Sequence, residues 1–133
     1  MVDNPSRTDK PSIAVLGAGR VGSTLAAALY SAGYPITAVW SRTEAHAQAL
    51  AERVGARIAP LEIAPRAAVL TLIAVSDDSI EGLTTTLAAG GAWAEGSLVV
   101  HCSGTLPAAA LAPAATHGAR VGALHPLVAI AER

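Results

Sequence analysis

The 133-residue sequence contains one cysteine, no phenylalanine, and only 14% charged residues. A single thiol excludes an intrachain disulfide and a thiolate metal cluster, which favours a reducing, cytoplasmic setting. Lys and Arg number 9 against 10 Asp and Glu, giving a net charge of −1 without a basic run, so nucleic acid is not an expected partner. No apolar run is long enough to span a membrane, so a membrane partner is not expected either.

Apolar residues, most of them small and aliphatic, make up 52% of the chain. A chain of this length fits one domain and buries about two-thirds of its unfolded surface. Residues 1–11 are polar and contain proline, and they lack the apolar segment of a secretory signal. We therefore predict a disordered lead-in over residues 1–11 and a single domain over residues 12–133.

A glycine-rich turn follows the first apolar run. The sequence IAVL at 13–16 leads into GAGRVG at 17–22, and an alanine-rich amphipathic stretch comes next. This order predicts a buried strand, a tight turn and a helix start, as in a dinucleotide-binding unit. Gly17 is expected to turn sharply out of the strand, Gly19 to let the backbone approach a pyrophosphate, and Gly22 to pack close to the strand. A tight turn without a ligand is the alternative, because glycine-rich turns occur in many loops.

The end of the predicted second strand, residues 34–40, indicates which dinucleotide fits. Sites for NAD, and many sites for FAD or S-adenosylmethionine, place an acidic residue here to bind ribose hydroxyls. This chain instead has Arg42 between Ser41 and Thr43. Arg42 is predicted to bind a 2′-phosphate with help from the two hydroxyls, which favours NADP(H) over NAD(H). The alternative is a capping box formed by Ser41 and Glu44, with Arg42 merely solvated.

Helix and strand patterns alternate along the whole chain. Helices are predicted over residues 20–32, 45–54 and 80–88, and strands over residues 13–16, 34–40, 57–59, 67–75, 97–101 and 120–124. This alternation predicts an α/β fold of three layers, with a doubly wound, mostly parallel sheet in the strand order 3-2-1-4-5-6. Ligands of such sheets bind beyond the carboxyl ends of the strands.

Several polar residues near these strand ends could serve either structure or chemistry. Asp77 and Asp78 stand before the predicted helix over 80–88, and we interpret them as capping residues. His101 ends a buried strand and is interpreted as a hydrogen-bonded core histidine. His125 follows the last strand, where it would suit proton donation beside a hydride transfer, although a turn set by His125 before a proline is an equal alternative. Cys102 is expected to pack as a small apolar residue, and no residue set has metal-ligand spacing.

The chain resembles the NADP-binding, Rossmann-like domain shared by pyrroline carboxylate reductases, deazaflavin-dependent NADP oxidoreductases and β-hydroxyacid dehydrogenases. The matching segments are GAGRVG at 17–22, WSRT at 40–43, AVSDDSI at 74–80, HCSG at 101–104 and HPL at 125–127. The resemblance implies contacts to the pyrophosphate by Gly19, Arg20 and Val21, to the 2′-phosphate by Ser41, Arg42 and Thr43, and to the nicotinamide side by Val75, Ser76 and Asp77. It also implies that Ser103 and His125 face the substrate and take part in catalysis.

By this resemblance, the chain is expected to be the NADP(H)-binding domain of an oxidoreductase that transfers hydride between nicotinamide and a small-molecule substrate. The resembling enzymes carry a following helical domain that closes the pocket and often dimerises. Because the sequence ends soon after HPL, either it is a fragment of a longer chain with a C-terminal helical domain, or a homodimer or separate partner is expected to complete the site and exclude water. The alternative function is a non-catalytic module that senses a dinucleotide or assembles with another protein.

Overall fold

The structure, a computed structural model, describes residues 10–124. Its strands are β1 (Ile13–Leu16), β2 (Ile36–Trp40), β3 (Arg57–Ile58), β4 (Leu70–Ile73), β5 (Leu98–His101) and β6 (Arg120–Ala123). Its helices are α1 (Arg20–Ser31), α2 (Glu44–Val54), α3 (Asp77–Ala89) and α4 (Ala112–Ala115), with 3₁₀ turns at Ala64–Ala67 and Ala108–Leu111. The six strands form one sheet in the order β3-β2-β1-β4-β5-β6, and every neighbouring pair is parallel. The predicted fold class and strand order are therefore confirmed.

The sheet separates two apolar clusters. Successive strand residues point to opposite faces, so β1 contributes Ile13 and Val15 to one cluster and Ala14 and Leu16 to the other. Buried residues of α1 and α2 complete the first cluster, and those of α3 and the Ala108–Leu111 turn complete the second. Both faces of the sheet are covered in this way, which confirms the predicted three layers.

The carboxyl ends of the central strands lie at one level across the sheet. Leu16 at the end of β1 pairs with Trp40 of β2 and with Ile73 of β4. Ile73 in turn pairs with His101, the last residue of β5, and His101 pairs with Ala123. The loops after these strands consequently leave the sheet along a single edge, which is where ligands of such sheets bind.

The fourth strand is central, as predicted, but much shorter than the apolar run over residues 67–75. Only Leu70–Ile73 is strand. Ala67 ends a 3₁₀ turn that contains Pro65, and Val69 is 51% exposed, with its N–H bonded to Ser12 instead of a neighbouring strand. An apolar run of this kind indicates burial, but it does not fix where a strand begins.

Candidate functional site

The turn between β1 and α1 is packed against the loop that follows β4. Gly17 has a φ of +105°, a conformation that side chains disfavour. A Cβ added at Gly17 would lie 2.7 Å from the carbonyl carbon and oxygen of Ala74. A Cβ added at Gly22 would collide with the carbonyl oxygen of Gly17 and lie 3.0 Å from the Cβ of Ala74. The fold itself therefore requires glycine at both positions.

Gly19 differs from these two glycines because nothing in the fold requires it. It has an extended backbone, with φ −77° and ψ −161°, and it is the N-cap residue of α1. A Cβ added there would meet no atom within 4 Å. The space in front of Gly19 is thus open, and it faces the first turn of α1, whose N–H groups and positive dipole end favour an anion.

Three adjoining clefts lie beyond the carboxyl ends of β2, β1, β4 and β5, and we call them the β2 cleft, the central cleft and the β5 cleft. The central cleft, of about 210 Å³, is lined by residues 17–19, 40–42 and 74–76 and by Leu83. The β2 cleft, of about 320 Å³, shares residues 40–42 with it and is further lined by Glu44, Ala47, Ile58, Ala59 and Pro60. The β5 cleft, of about 310 Å³, shares Gly19, Ala74, Val75 and Ser76 with the central cleft and is further lined by Arg20, Val21, Asp77 and Cys102. Neighbouring clefts share lining residues and lie side by side along this edge of the sheet, and we refer to the three together as the extended groove.

Most of the residues predicted to bind a cofactor line this groove. They are Gly17, Gly19, Arg20, Val21, Ser41, Arg42, Val75, Ser76 and Asp77. Gly22 and Thr43 line none of the three clefts: Gly22 packs under the glycine turn, and Thr43 is the N-cap residue of α2. The fold thus brings together three segments that lie far apart in the sequence.

The model of the Rossmann-like domain family matches residues 3–126. The chain belongs to this family. A stretch of 76 residues is 43% identical to the shikimate dehydrogenase (NADP(+)) of Thermus thermophilus, covering 55% of this chain and 28% of that protein. The imine reductase of Streptomyces aurantiacus has 32% identity and a TM-score of 0.69, with 82% of this chain and 38% of that one covered. An imine reductase from Myxococcus stipitatus in complex with NADP+ has 28% identity and a TM-score of 0.65, with 83% and 39% covered. The chain therefore spans less than two-fifths of each of these relatives.

In this Rossmann-like domain, the alternative of a capping box at Ser41 and Glu44 is wrong. Thr43 is the N-cap residue of α2, and its side chain makes no capping hydrogen bond. Glu44 is the first helical residue, one position after the cap, whereas a capping box needs a spacing of three. Ser41 and Arg42 are therefore left at the groove, and the Arg42 side chain is exposed there.

The capping role predicted for Asp77 and Asp78 is also wrong. Ser76 is the N-cap residue of α3, and both aspartates lie in the first helical turn, where the helix dipole favours carboxylates. The Ser76 hydroxyl donates to Oδ1 of Asp78 at 3.0 Å, and the Thr105 hydroxyl donates to Oδ2 of Asp77 at 2.9 Å. Each carboxylate thus accepts a bond from a side chain, and Asp77 connects α3 to the segment after β5.

His101 is a core histidine, as predicted, and it organises the loop over residues 102–107, which we call the β5 loop. The side chain is fully buried. Its Nδ1 accepts the backbone N–H of Ser103 at 3.1 Å, and its Nε2 lies 2.9 Å from the carbonyl oxygen of Pro107. Because an amide N–H only donates and a carbonyl only accepts, the imidazole proton is on Nε2. The ring therefore holds the two ends of the loop together.

Ser103 stabilises the β5 loop through hydrogen bonds from its side chain to the backbone of the loop. It is 4% exposed, and its Oγ accepts the backbone N–H groups of Thr105 at 3.1 Å and Leu106 at 3.0 Å. The part in catalysis predicted for Ser103 stays a prediction, and the other residue predicted to face the substrate, His125, lies outside residues 10–124. Thr105, whose hydroxyl donates to Asp77, was not among the residues predicted from the sequence. The only signal that could have indicated it is its position directly after the HCSG segment.

Cys102 forms part of the wall of the β5 cleft and is 9% exposed. Burial raises the pKa of its thiol to about 11, because the protein interior disfavours the charged thiolate. At neutral pH the side chain is therefore a thiol, and the expectation that Cys102 packs as a small apolar residue is confirmed.

Two absences apply to the residues that the structure describes. Over residues 10–124, no group of three or more His, Cys, Asp or Glu side chains is arranged to hold a metal ion. Within the same range, no helix combines the length and the apolar character needed to cross a bilayer.

Proposed function

We propose that this domain binds NADP(H) along the extended groove and is the cofactor-binding part of an oxidoreductase that transfers hydride between nicotinamide and a small molecule. The observation that carries the proposal is that the three clefts lie side by side along the strand ends, with Gly19 and the open space in front of it in the wall of both the central and the β5 cleft. Parallel sheets of this order bind dinucleotides beyond the carboxyl ends of their strands. The relative from Myxococcus stipitatus, which is in complex with NADP+, supports the same cofactor.

The pyrophosphate would lie in front of Gly19, in the central cleft. The N–H groups of the first turn of α1 have no partner within the helix, so they can donate to phosphate oxygens. Arg20 and Val21 begin that turn and line the β5 cleft. An anion at this position gains from the helix dipole and fills space that the fold leaves open.

The adenosine half would occupy the β2 cleft, with its 2′-phosphate against Arg42. A guanidinium group can form two parallel hydrogen bonds with a phosphate, and Ser41 supplies a neighbouring hydroxyl. Thr43 keeps a backbone role as the cap of α2, and a contact from its hydroxyl to the phosphate stays part of the proposal. Glu44 adds a negative charge to the same cleft. A preference for NADPH over NADH would therefore show that the attraction of Arg42 for the 2′-phosphate is stronger than the repulsion from Glu44.

The nicotinamide half would lie in the β5 cleft beside Val75, Ser76 and Asp77. When bound, the nicotinamide supplies or accepts the hydride, while the protein orients it. Ser103 and His125 are proposed on the substrate side, with His125 as the proton donor. A homodimer or a helical domain would complete that side. A cytoplasmic location is part of the proposal, because a single unpaired thiol is typical of a reducing compartment.

The test of this proposal is a paired titration with NADPH and NADH, followed by the fluorescence of Trp40, which lines both the central and the β2 cleft. Trp93 is 4% exposed and bonded to the carbonyl of Thr84, so its emission should stay nearly constant. We expect NADPH to bind at least about tenfold more tightly than NADH, a difference of about 1.4 kcal/mol.

Arg42→Ala should remove this preference by weakening NADPH binding while leaving NADH binding nearly unchanged. Arg53→Ala is the matched control, because Arg53 is an exposed arginine at the other end of α2 and lines no part of the groove. Equal affinities of the wild-type protein for the two nucleotides would contradict the role of Arg42. Absence of binding by either nucleotide would contradict the proposed function itself.

A further inference from the structure

Within residues 10–124, the β5 loop makes one side-chain hydrogen bond to a residue outside itself and its own strand. Its backbone is also bonded to β4, through the N–H of Cys102 and the carbonyl of Ile73, and to the 3₁₀ turn that follows. Within the loop, Ser103 and His101 make the bonds described above. The outward bond runs from the Thr105 hydroxyl to Oδ2 of Asp77, over 2.9 Å. The Thr105 hydroxyl also lies 3.3 Å from the Ser103 Oγ. Thr105 therefore connects the inner bonding of the loop to the first turn of α3.

Asp77 lies on the boundary between two clefts. It lines the β5 cleft, together with Arg20, Ser76 and Cys102. It also lines a further cleft, of about 390 Å³, whose walls include Glu81, Leu106 and Pro107. A side chain in this position defines the outer wall of the space proposed for the nicotinamide. Its orientation is held by a hydrogen bond from Thr105 and not by a capping bond.

We propose that Thr105 is a positioning residue for the nicotinamide half of the cofactor, an inference that rests on the proposed function. By donating to the Asp77 carboxylate, Thr105 fixes this side chain between the two clefts and keeps the β5 loop against α3. The adenosine half lies beyond this contact, since neither Thr105 nor Asp77 lines the central or the β2 cleft. Loss of the bond should therefore weaken only those interactions that involve the nicotinamide half.

The variant that tests this is Thr105→Val, which keeps the size of the side chain and removes the hydroxyl. Thr105 and Asp77 are both exposed, so the loss of their bond should leave the unfolding midpoint unchanged. The control is Thr85→Val, because Thr85 is an exposed threonine on α3 whose hydroxyl bonds only to the carbonyl of Glu81 in its own helix. Thr105→Ser, which retains the hydroxyl, is the rescue variant.

Two probes separate the halves of the cofactor: NADPH, and adenosine 2′,5′-bisphosphate, which lacks the nicotinamide. In Thr105→Val we expect the Kd for NADPH to rise about fivefold or more, equivalent to about 1 kcal/mol. The Kd for the bisphosphate should change less than about twofold, a difference well under 1 kcal/mol. Thr105→Ser and Thr85→Val should bind both probes as the wild-type protein does. Asp77→Ala removes the acceptor of the same bond and should reproduce the selective loss.

Three outcomes would overturn the proposal. Unchanged NADPH binding in Thr105→Val would show that the contact does not position the nicotinamide half, whatever the result for Asp77→Ala. An equal rise in the Kd for both probes would show that the substitution also affects the adenosine half and that its effect is therefore structural. If the wild-type protein bound neither probe, the proposed function would fail and this inference with it. Binding of both probes by the wild-type protein thus separates a failure of the positioning role from a failure of cofactor binding.

Discussion

At the scale of single residues, the burial of Cys102 has a consequence for stability at high pH. The folded protein holds the pKa of this thiol at about 11, against 9.0 as its ordinary value. The thiol therefore contributes fully to the free energy of unfolding below pH 9, and this contribution is lost as the pH rises towards 11. The denaturant midpoint should fall across that interval by more in the wild-type protein than in Cys102→Ala. An equal fall of the midpoint in the two proteins would contradict a raised pKa for Cys102, because all other titrating groups are common to both proteins.

Some single-residue roles follow from local sequence, whereas others depend on distant parts of the fold. The burial of His101 could be predicted because this residue ends an apolar strand pattern, and that of Cys102 because nothing in the sequence marks its side chain as a thiolate. The contact between Thr105 and Asp77 joins residues 28 positions apart, and it exists only because β4 and β5 are neighbours in the sheet. No local pattern indicates which carboxylate a loop threonine will reach.

At the scale of elements, the glycine turn fixes how closely α1 approaches the loop after β4. In Gly22→Ala the new methyl group would collide with the backbone carbonyl of Gly17, so the backbone of the turn or of α1 would have to shift. We expect a loss of about 1–3 kcal/mol in the free energy of unfolding, which is typical of overpacking. Gly82→Ala is the control, because Gly82 is an exposed helical residue of α3 with no atom within 4 Å of an added Cβ. It should gain about 0.5–1 kcal/mol.

Urea unfolding of the two glycine variants checks this prediction. A gain in Gly22→Ala similar to that in Gly82→Ala would show that α1 can shift without cost, and the packing role of Gly22 would then be wrong.

The existence of the six strands and of α1, α2 and α3 could be predicted, but several of their ends could not. Hydrophobic periodicity and turn residues indicate where an element is buried. They did not show that the run over residues 67–75 begins with a 3₁₀ turn, or that Thr43 rather than Ser41 precedes α2. For β4, the start of the strand depends on backbone hydrogen bonds to another segment, as between Val69 and Ser12.

At the scale of the whole molecule, the alignment of strand ends creates the groove. Leu16, Trp40, Ile73 and His101 end four parallel strands at one level, so the loops that carry the candidate residues meet there. The strand order could be predicted because alternating strands and helices with right-handed crossovers leave few topologies. The extent of the groove could not, since it depends on side chains such as Leu83 and on the open space at Gly19.

The most direct test of the central claim, that this groove binds NADP(H) across Gly19, is the stability of Gly19→Ala with and without NADPH. Without nucleotide, the variant should unfold almost as the wild-type protein does, because an added Cβ meets no atom within 4 Å. At a NADPH concentration near 100 times its Kd, the wild-type protein and Gly82→Ala should each gain about 2.7 kcal/mol. Gly19→Ala should gain almost nothing, since its methyl group would occupy the space proposed for the pyrophosphate. An equal gain in Gly19→Ala would contradict the claim.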